Sequence, residues 1–171
     1  AGSHSATITD ANGCSAVGSI IIFEPFAMVL TSSSTTPVSC FGQSDATASV
    51  SVSGGAGVPY SYLWSNGQTN STATGLTAGL YTVTISDANG CTMTHQVLTT
   101  QPAPMSLSFT NIIDIDCHTN QTGSATPLVS GGTAPYGFIW NGLAAWNDSI
   151  PTYLNYGWST VVVTDMRGCT I

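Results

Sequence analysis

The chain has 171 residues, of which 42% are apolar and only 5% are charged, and its formal net charge is -7. Soluble proteins average about 25% charged residues, so the polar surface of this chain must consist mainly of uncharged side chains, a style typical of extracellular proteins. Arg167 is the single Lys or Arg residue, which excludes a nucleic-acid partner because phosphate contacts need clustered cations. No run of about 20 apolar residues occurs, so membrane insertion is not expected.

A short turn sequence occurs three times and defines a repeat of about 77 residues. Asp10-Ala11-Asn12-Gly13-Cys14 returns as Asp87-Ala88-Asn89-Gly90-Cys91 and as Asp165-Met166-Arg167-Gly168-Cys169. The cysteines of these turns are 77 and 78 residues apart. Two further landmarks share the interval of 77 residues, namely Gly54 with Gly131 and Cys40 with Cys117.

Apolar and polar residues alternate with period two in several segments, which is the pattern of β-strands with one buried face. The clearest are residues 46–52, 81–85 and 105–109. Turns rich in Gly, Asn and Asp separate the segments, and no window has a convincing helical period. We therefore predict an all-β fold of tandem immunoglobulin-like β-sandwich repeats, with roughly seven strands in each repeat.

Three units follow one another along the chain. Residues 1–25 are predicted to be the closing hairpin of a preceding repeat, residues 26–102 a complete repeat, and residues 103–171 a second repeat that lacks its last strand. One interpretation is a segment of a longer array. The alternative is that Ser15 to Phe23 donates a strand to the incomplete last repeat of a neighbouring subunit and so builds head-to-tail fibres. Pairing of that strand within its own chain would argue against donation.

Four motifs of the chain are distinctive: Cys40-Phe41-Gly42, Ser53-Gly54-Gly55, Pro59-Tyr60-Ser61-Tyr62-Leu63-Trp64 and the run from Gly79 to Cys91. These motifs resemble the SprB repeat family of giant surface proteins of Bacteroidota, which include the mobile adhesins of gliding bacteria. The Tyr-x-Trp element and the Gly-x-Tyr-Thr-Val run are also similar to PKD-type immunoglobulin-like (PKD-like) domains. The resemblance implies export by the type IX system, a cell-surface or extracellular location, and a role in display or adhesion.

The five cysteines are interpreted as disulfide partners, given the extracellular features of the chain. The repeat favours pairs within each copy, Cys40 with Cys91 and Cys117 with Cys169. Two alternatives stay open: Cys14 with Cys40 together with Cys91 with Cys117, or a link between neighbouring domains such as Cys40 with Cys169. A metal site is disfavoured because no two cysteines have Cys-x-x-Cys spacing.

Acidic turns suggest one weak metal hypothesis. Asp10 with Asn12, and Asp87 with Asn89, could supply oxygen ligands to Ca²⁺. The favoured interpretation is that each Asp caps its own turn by accepting hydrogen bonds from the backbone. No other cofactor is expected.

Aromatic residues fall into two groups. Trp64 and Trp140 follow Pro-Tyr motifs and are predicted to be buried in the sandwich cores. The second repeat carries a less regular set, Trp146, Tyr153, Tyr156 and Trp158. This set could stack on surface glycans or pack on a partner, with local packing as the favoured alternative.

Catalysis has little support in the sequence, and we expect no enzyme. The three histidines stand in unrelated contexts, and no Gly-x-Ser-x-Gly, His-Glu-x-x-His or phosphate-loop motif occurs. Short glycosylation motifs are more numerous, both N-linked and of the Bacteroidota O-linked type. The candidate residues are Asn70, Asn120, Asn147 and Ser149.

Three functional hypotheses follow. The first is a structural and adhesive stalk or extracellular filament, whose partners are neighbouring repeats or other copies of the chain. The second is a spacer or carbohydrate-binding module of a larger secreted polysaccharide-active protein, with surface glycans as ligands. A calcium-dependent adhesin is a weaker third.

Overall fold

The computed structural model describes residues 1–115, 123–141, 143–145, 151, 154 and 157–171. These residues form thirteen β-strands in five small antiparallel sheets. The strands are β1 Gly2–Thr9, β2 Ser15–Ile22, β3 Val29–Thr36, β4 Ala46–Ser53, β5 Ser61–Trp64, β6 Thr72–Leu76, β7 Gly79–Ser86, β8 Thr92–Thr99, β9 Ser106–Ile113, β10 Ser124–Ser130, β11 Gly137–Trp140, β12 Leu143–Ala145 and β13 Val161–Thr164. In this part of the chain no helix is long and apolar enough to cross a membrane. The predicted all-β class is confirmed.

Strands β3 to β8 build a two-layered sandwich. One sheet has the order β3-β4-β6 and the other the order β5-β7-β8. Along β4, Ala46, Ala48 and Val50 are buried while Ser51 and Ser53 are exposed, so the period-two pattern separates a core face from a wet face. The inner faces enclose one apolar core of Val38, Ala46, Ala48, Val50, Trp64, Ala73, Leu76, Val83, Ile85 and Val97. The predicted burial of Trp64 is confirmed.

In the described residues of the second repeat, five strands, β9 to β13, follow the same plan. Strand β9 pairs with β10, and β11 lies between β12 and β13. Phe138, Trp140 and Val163 are the buried residues of this second core, which confirms the prediction for Trp140. Thr170 forms a bridge with Thr164, at the position where β8 begins beside β7 in the first sandwich.

Strands β1 and β2 form a hairpin that matches β7 and β8 in length, register and turn. Its apolar side chains face solvent, and Ile8 and Ile20 are 74% and 65% exposed. Strand β2 pairs with β1 along its whole length. This pairing within one chain argues against donation of Ser15 to Phe23 to a neighbouring subunit.

Candidate functional site: the junction between repeats

Each of the three Asp turns positions its cysteine by the same hydrogen bonds. Asp87 Oδ1 accepts from the backbone N–H groups of Asn89 and Cys91, at 2.9 Å in both cases. Asp10 and Asp165 accept the equivalent pairs of bonds at 2.8 and 2.9 Å. The predicted capping role of Asp10 and Asp87 is confirmed, and Asp165 caps its turn in the same way. The capping bonds set the path of the backbone at each cysteine.

The second carboxylate oxygen of Asp87 and of Asp165 reaches a turn that we call the glycine corner. This corner is Gly54-Gly55 after β4 and Gly131-Gly132 after β10. Asp87 Oδ2 accepts from Ala56 N–H at 2.8 Å, and Asp165 Oδ2 accepts from Thr133 N–H at 2.8 Å. Gly55, in the first corner, has φ +65°, and a Cβ atom there would lie 2.6 Å from Asp87 Oδ2. Only glycine combines this backbone conformation with so close an approach.

These hydrogen bonds favour the charged form of both carboxylates. The Ala56 N–H has the largest influence on the pKa of Asp87 and, with the turn N–H groups, lowers it below its ordinary value of 3.8 in spite of burial. At Asp165 burial is the largest influence and acts to raise the pKa, but three backbone N–H groups, led by that of Cys169, bring the net pKa below its ordinary value. The glycine corner therefore binds an anionic Asp.

The turn of the second repeat is covalently bonded to a loop of the first. Cys169 and Cys40 form a disulfide across a sequence separation of 129, with their Cα atoms 5.7 Å apart. The guanidinium of Arg167, in the same turn, donates a hydrogen bond to the carbonyl oxygen of Val38 at 3.3 Å. The single Lys or Arg of the chain is thus placed at the junction.

The linker between the repeats is held against the same loop. Gln101 Oε1 accepts from Gly42 N–H at 2.9 Å, and Thr100 O accepts from Val38 N–H at 2.9 Å. An open cleft of about 380 Å³ lies at this point. It is lined by the loop that carries Cys40 (the cysteine loop), by residues 102–105 of the linker and by the turn that carries Cys169. Loop, linker and turn together define the junction.

The disulfide pairing that the sequence favoured is wrong. Cys40 bonds to Cys169 and not to Cys91, which is an exposed thiol, as is Cys14. The eight residues of β4 run from the loop of Cys40 to the glycine corner at Asp87. Such a strand spans roughly 25 Å, far beyond the about 7 Å between Cα atoms that a disulfide tolerates. The alternative link between neighbouring domains is the one that forms, while Cys117 lies outside the described residues.

Other predicted sites are separate from this junction. The calcium hypothesis for Asp10, Asn12, Asp87 and Asn89 stays a prediction; among the described residues, no three His, Cys, Asp or Glu side chains are grouped to hold a metal. Trp158 is fully exposed and Asn70 is exposed. The remaining aromatic and glycosylation candidates, Trp146, Tyr153, Tyr156, Asn120, Asn147 and Ser149, lie outside the described residues.

Sequence reasoning missed two residues at the end of the first repeat. Gln101 ties the linker to the cysteine loop, and Thr99, which is 2% exposed, donates to Thr77 O at 2.7 Å and accepts from Gly79 N–H at 3.1 Å. The available signal was the recurrence of an acid or its amide before proline, at Glu24-Pro25 and Gln101-Pro102.

Comparison with protein families identifies the repeat. Residues 32–69 and residues 110–145 each match the SprB repeat. Each sandwich thus contains a segment that matches the SprB repeat. Both matches run from the first strand of a sandwich, β3 or β9, past its tryptophan. SprB repeats are structural modules of cell-surface proteins, so this chain is a repeat module of that kind. No curated protein matches the chain.

Proposed function

We propose that this SprB repeat module is a segment of a stiff stalk that extends an adhesive surface protein from the cell. The observation that carries the proposal is the disulfide between Cys40 of one repeat and Cys169 of the next. Domains joined only by a short linker rotate against one another unless their interface is large and apolar. A covalent bond beside the linker removes most of that freedom.

The noncovalent contacts act in the same direction. The linker is fixed to the cysteine loop through Gln101, and the turn is fixed to it through Arg167. The first repeat is thus held at three points close to its end. A rod assembled in this way transmits force along its axis, as a stalk or a gliding adhesin requires.

The chemistry of the junction also supports export. Disulfides form and persist in oxidising compartments such as the periplasm and the cell exterior. Together with the SprB family assignment, this supports a location outside the cell and a route through the type IX system of Bacteroidota. Neighbouring repeats and further copies of the chain are the partners that this function needs.

The test is a comparison of shape under oxidising and reducing conditions. Small-angle X-ray scattering of the chain should give one extended conformation when Cys40 and Cys169 are bonded, and a broader distribution of maximum dimensions in the Cys169→Ser variant, which is kept under reductant so that its free Cys40 forms no intermolecular disulfide. Cys91→Ser, which removes an exposed thiol, is the control and should leave the distribution unchanged. Equal distributions for the native chain and Cys169→Ser would reject the stiff stalk.

Trp158 favours a second function, the glycan-binding spacer module. Its indole is fully exposed, and exposed indoles stack on sugar rings. In affinity electrophoresis through gels that contain a polysaccharide, this function requires retardation of the native chain and loss of retardation in Trp158→Ala. Leu63→Ala, at another exposed apolar residue, is the matched control.

A further inference from the structure

The first repeat carries the same turn that forms the disulfide in the second. In the turn of Cys91, the Asp87 N–H donates to Cys91 O at 3.0 Å and Cys91 N–H donates to Asp87 Oδ1 at 2.9 Å. In the turn of Cys169, the same two bonds to Asp165 are both 2.9 Å. The two cysteines therefore have the same backbone setting, yet Cys91 is an exposed thiol while Cys169 is bonded.

The surroundings of the two cysteines also correspond. Gly55 N–H donates to Phe26 O at 2.7 Å, as Gly132 N–H donates to Ala103 O at 2.9 Å. Phe26 is thus the equivalent of Ala103, which lines the cleft at the junction. Phe26 is 89% exposed. A partner seated on this face would remove that apolar side chain from water, which favours association.

We infer that the face of the first repeat around Cys91 and Phe26 binds the cysteine loop of another SprB repeat, and that Cys91 forms a disulfide with the cysteine of that loop. The partner is another copy of the repeat, placed before the first repeat, whose end presents the equivalent of Cys40-Phe41-Gly42. The inference rests on the proposed stalk function and extends it. The bond between Cys40 and Cys169 is then one example of a general pattern, in which the turn of each repeat is bonded to the cysteine loop of the preceding repeat.

The reaction joins two thiols. The Cys91 Sγ–H and the loop Sγ–H bonds break, one S–S bond forms, and two protons and two electrons pass to a disulfide-class oxidant, which is reduced to two thiols. Geometry for this bond exists at Cys40 and Cys169, where the same turn and loop bring the Cα atoms within 5.7 Å.

The test places a complete repeat in front of another copy within one chain. Residues 26–102 are duplicated in tandem, so that residues 1–102 are followed by residues 26–171, in a Cys14→Ser background. The new junction has the native order, because Pro102 then precedes Phe26 as Pro25 does in the native chain. The duplicated chain is oxidised with a glutathione redox pair and mapped as peptides without reduction. It should contain one disulfide more than the chain without the duplication, between Cys40 of the first copy and Cys91 of the second.

Two controls decide the result. Cys40→Ser in the first copy alone should remove the additional disulfide and leave the bond from the second Cys40 to Cys169 in place. The latter bond reports correct folding of the duplicated chain. If it forms while Cys91 of the second copy stays alkylatable, the inference is overturned, whereas stiffness measured by scattering tests the stalk separately.

A second variant answers the same question if the duplicated chain does not fold. In Cys14→Ser, Cys169→Ser, Cys40 is free to bond with Cys91 of another molecule. Covalent oligomers that contain a peptide linking Cys40 to Cys91 are expected, and Cys91→Ser in the same background should abolish them. Monomers alone after oxidation would overturn the inference.

Discussion

Cys40 in the first repeat and Cys169 in the second are bonded, although 129 residues separate them in sequence. All of β4 to β13 lies between the two cysteines. The bond therefore closes a loop that contains most of the first sandwich and nearly all of the second. Loss of this bond should affect both repeats.

Cys169→Ser is expected to lower the thermal midpoint of the chain. Closure of a loop of this length restricts the unfolded chain, and the chain-entropy model gives roughly 4 to 5 kcal/mol for it. Differential scanning calorimetry should give one transition for the oxidised chain and an earlier, broader profile for the variant. Cys91→Ser is the control, and a variant profile equal to that of the control would contradict the expectation.

Gly55→Ala should destabilise the first repeat through two effects. Alanine at φ +65° costs about 1 to 2 kcal/mol, and its Cβ would in addition lie 2.6 Å from Asp87 Oδ2. Gly57→Ala is a matched control, because Gly57 has φ +84° but no atom within 4 Å of a Cβ. Urea denaturation should give a loss for Gly55→Ala at least twice that for Gly57→Ala. Equal losses of unfolding free energy in the two variants would mean that the Asp87 carboxylate moves away from the new Cβ atom without cost.

The sequence predicted the elements of each repeat better than the contacts between repeats. The alternation along residues 46–52 predicts β4 because burial of one face imposes period two, and the position of Trp64 after Pro-Tyr predicts its place in the core. The partner of Cys40 was not predictable in this way, since it depends on how one sandwich stacks on the next. No pattern within a single repeat specifies that stacking.

Acid should weaken the glycine corners. The pKa of Asp87 and that of Asp165 are lowered in the folded chain from the ordinary value of 3.8. The charged carboxylates therefore stabilise the fold fully above about pH 4, and this stabilisation is lost as the pH falls through the lower folded pKa values. Denaturation measured between pH 6 and pH 2 should report the loss.

Asp87→Asn should reduce that pH dependence. An amide presents only one acceptor oxygen, so it cannot serve both the turn and Ala56 N–H. The Asp10→Asn variant is the matched control, since Asp10 occupies the same turn in the hairpin outside the sandwich. If Asp87→Asn and the native chain lose stability equally on acidification, then another carboxylate is responsible.

Thr99→Val should destabilise the first repeat although the two side chains have nearly the same shape. Thr99 is buried where β8 approaches the junction. Its hydroxyl donates to Thr77 O at 2.7 Å and accepts from Gly79 N–H at 3.1 Å. Valine leaves Gly79 N–H without this partner and leaves Thr77 O with only the longer bond from the Tyr81 hydroxyl at 3.3 Å, at a cost of about 1 to 3 kcal/mol. Thr94→Val, at an exposed position of the same strand, is the control and should change the unfolding free energy by less than about 0.5 kcal/mol. Equal effects of the two substitutions would mean that the buried hydroxyl contributes nothing to the stability of the first repeat.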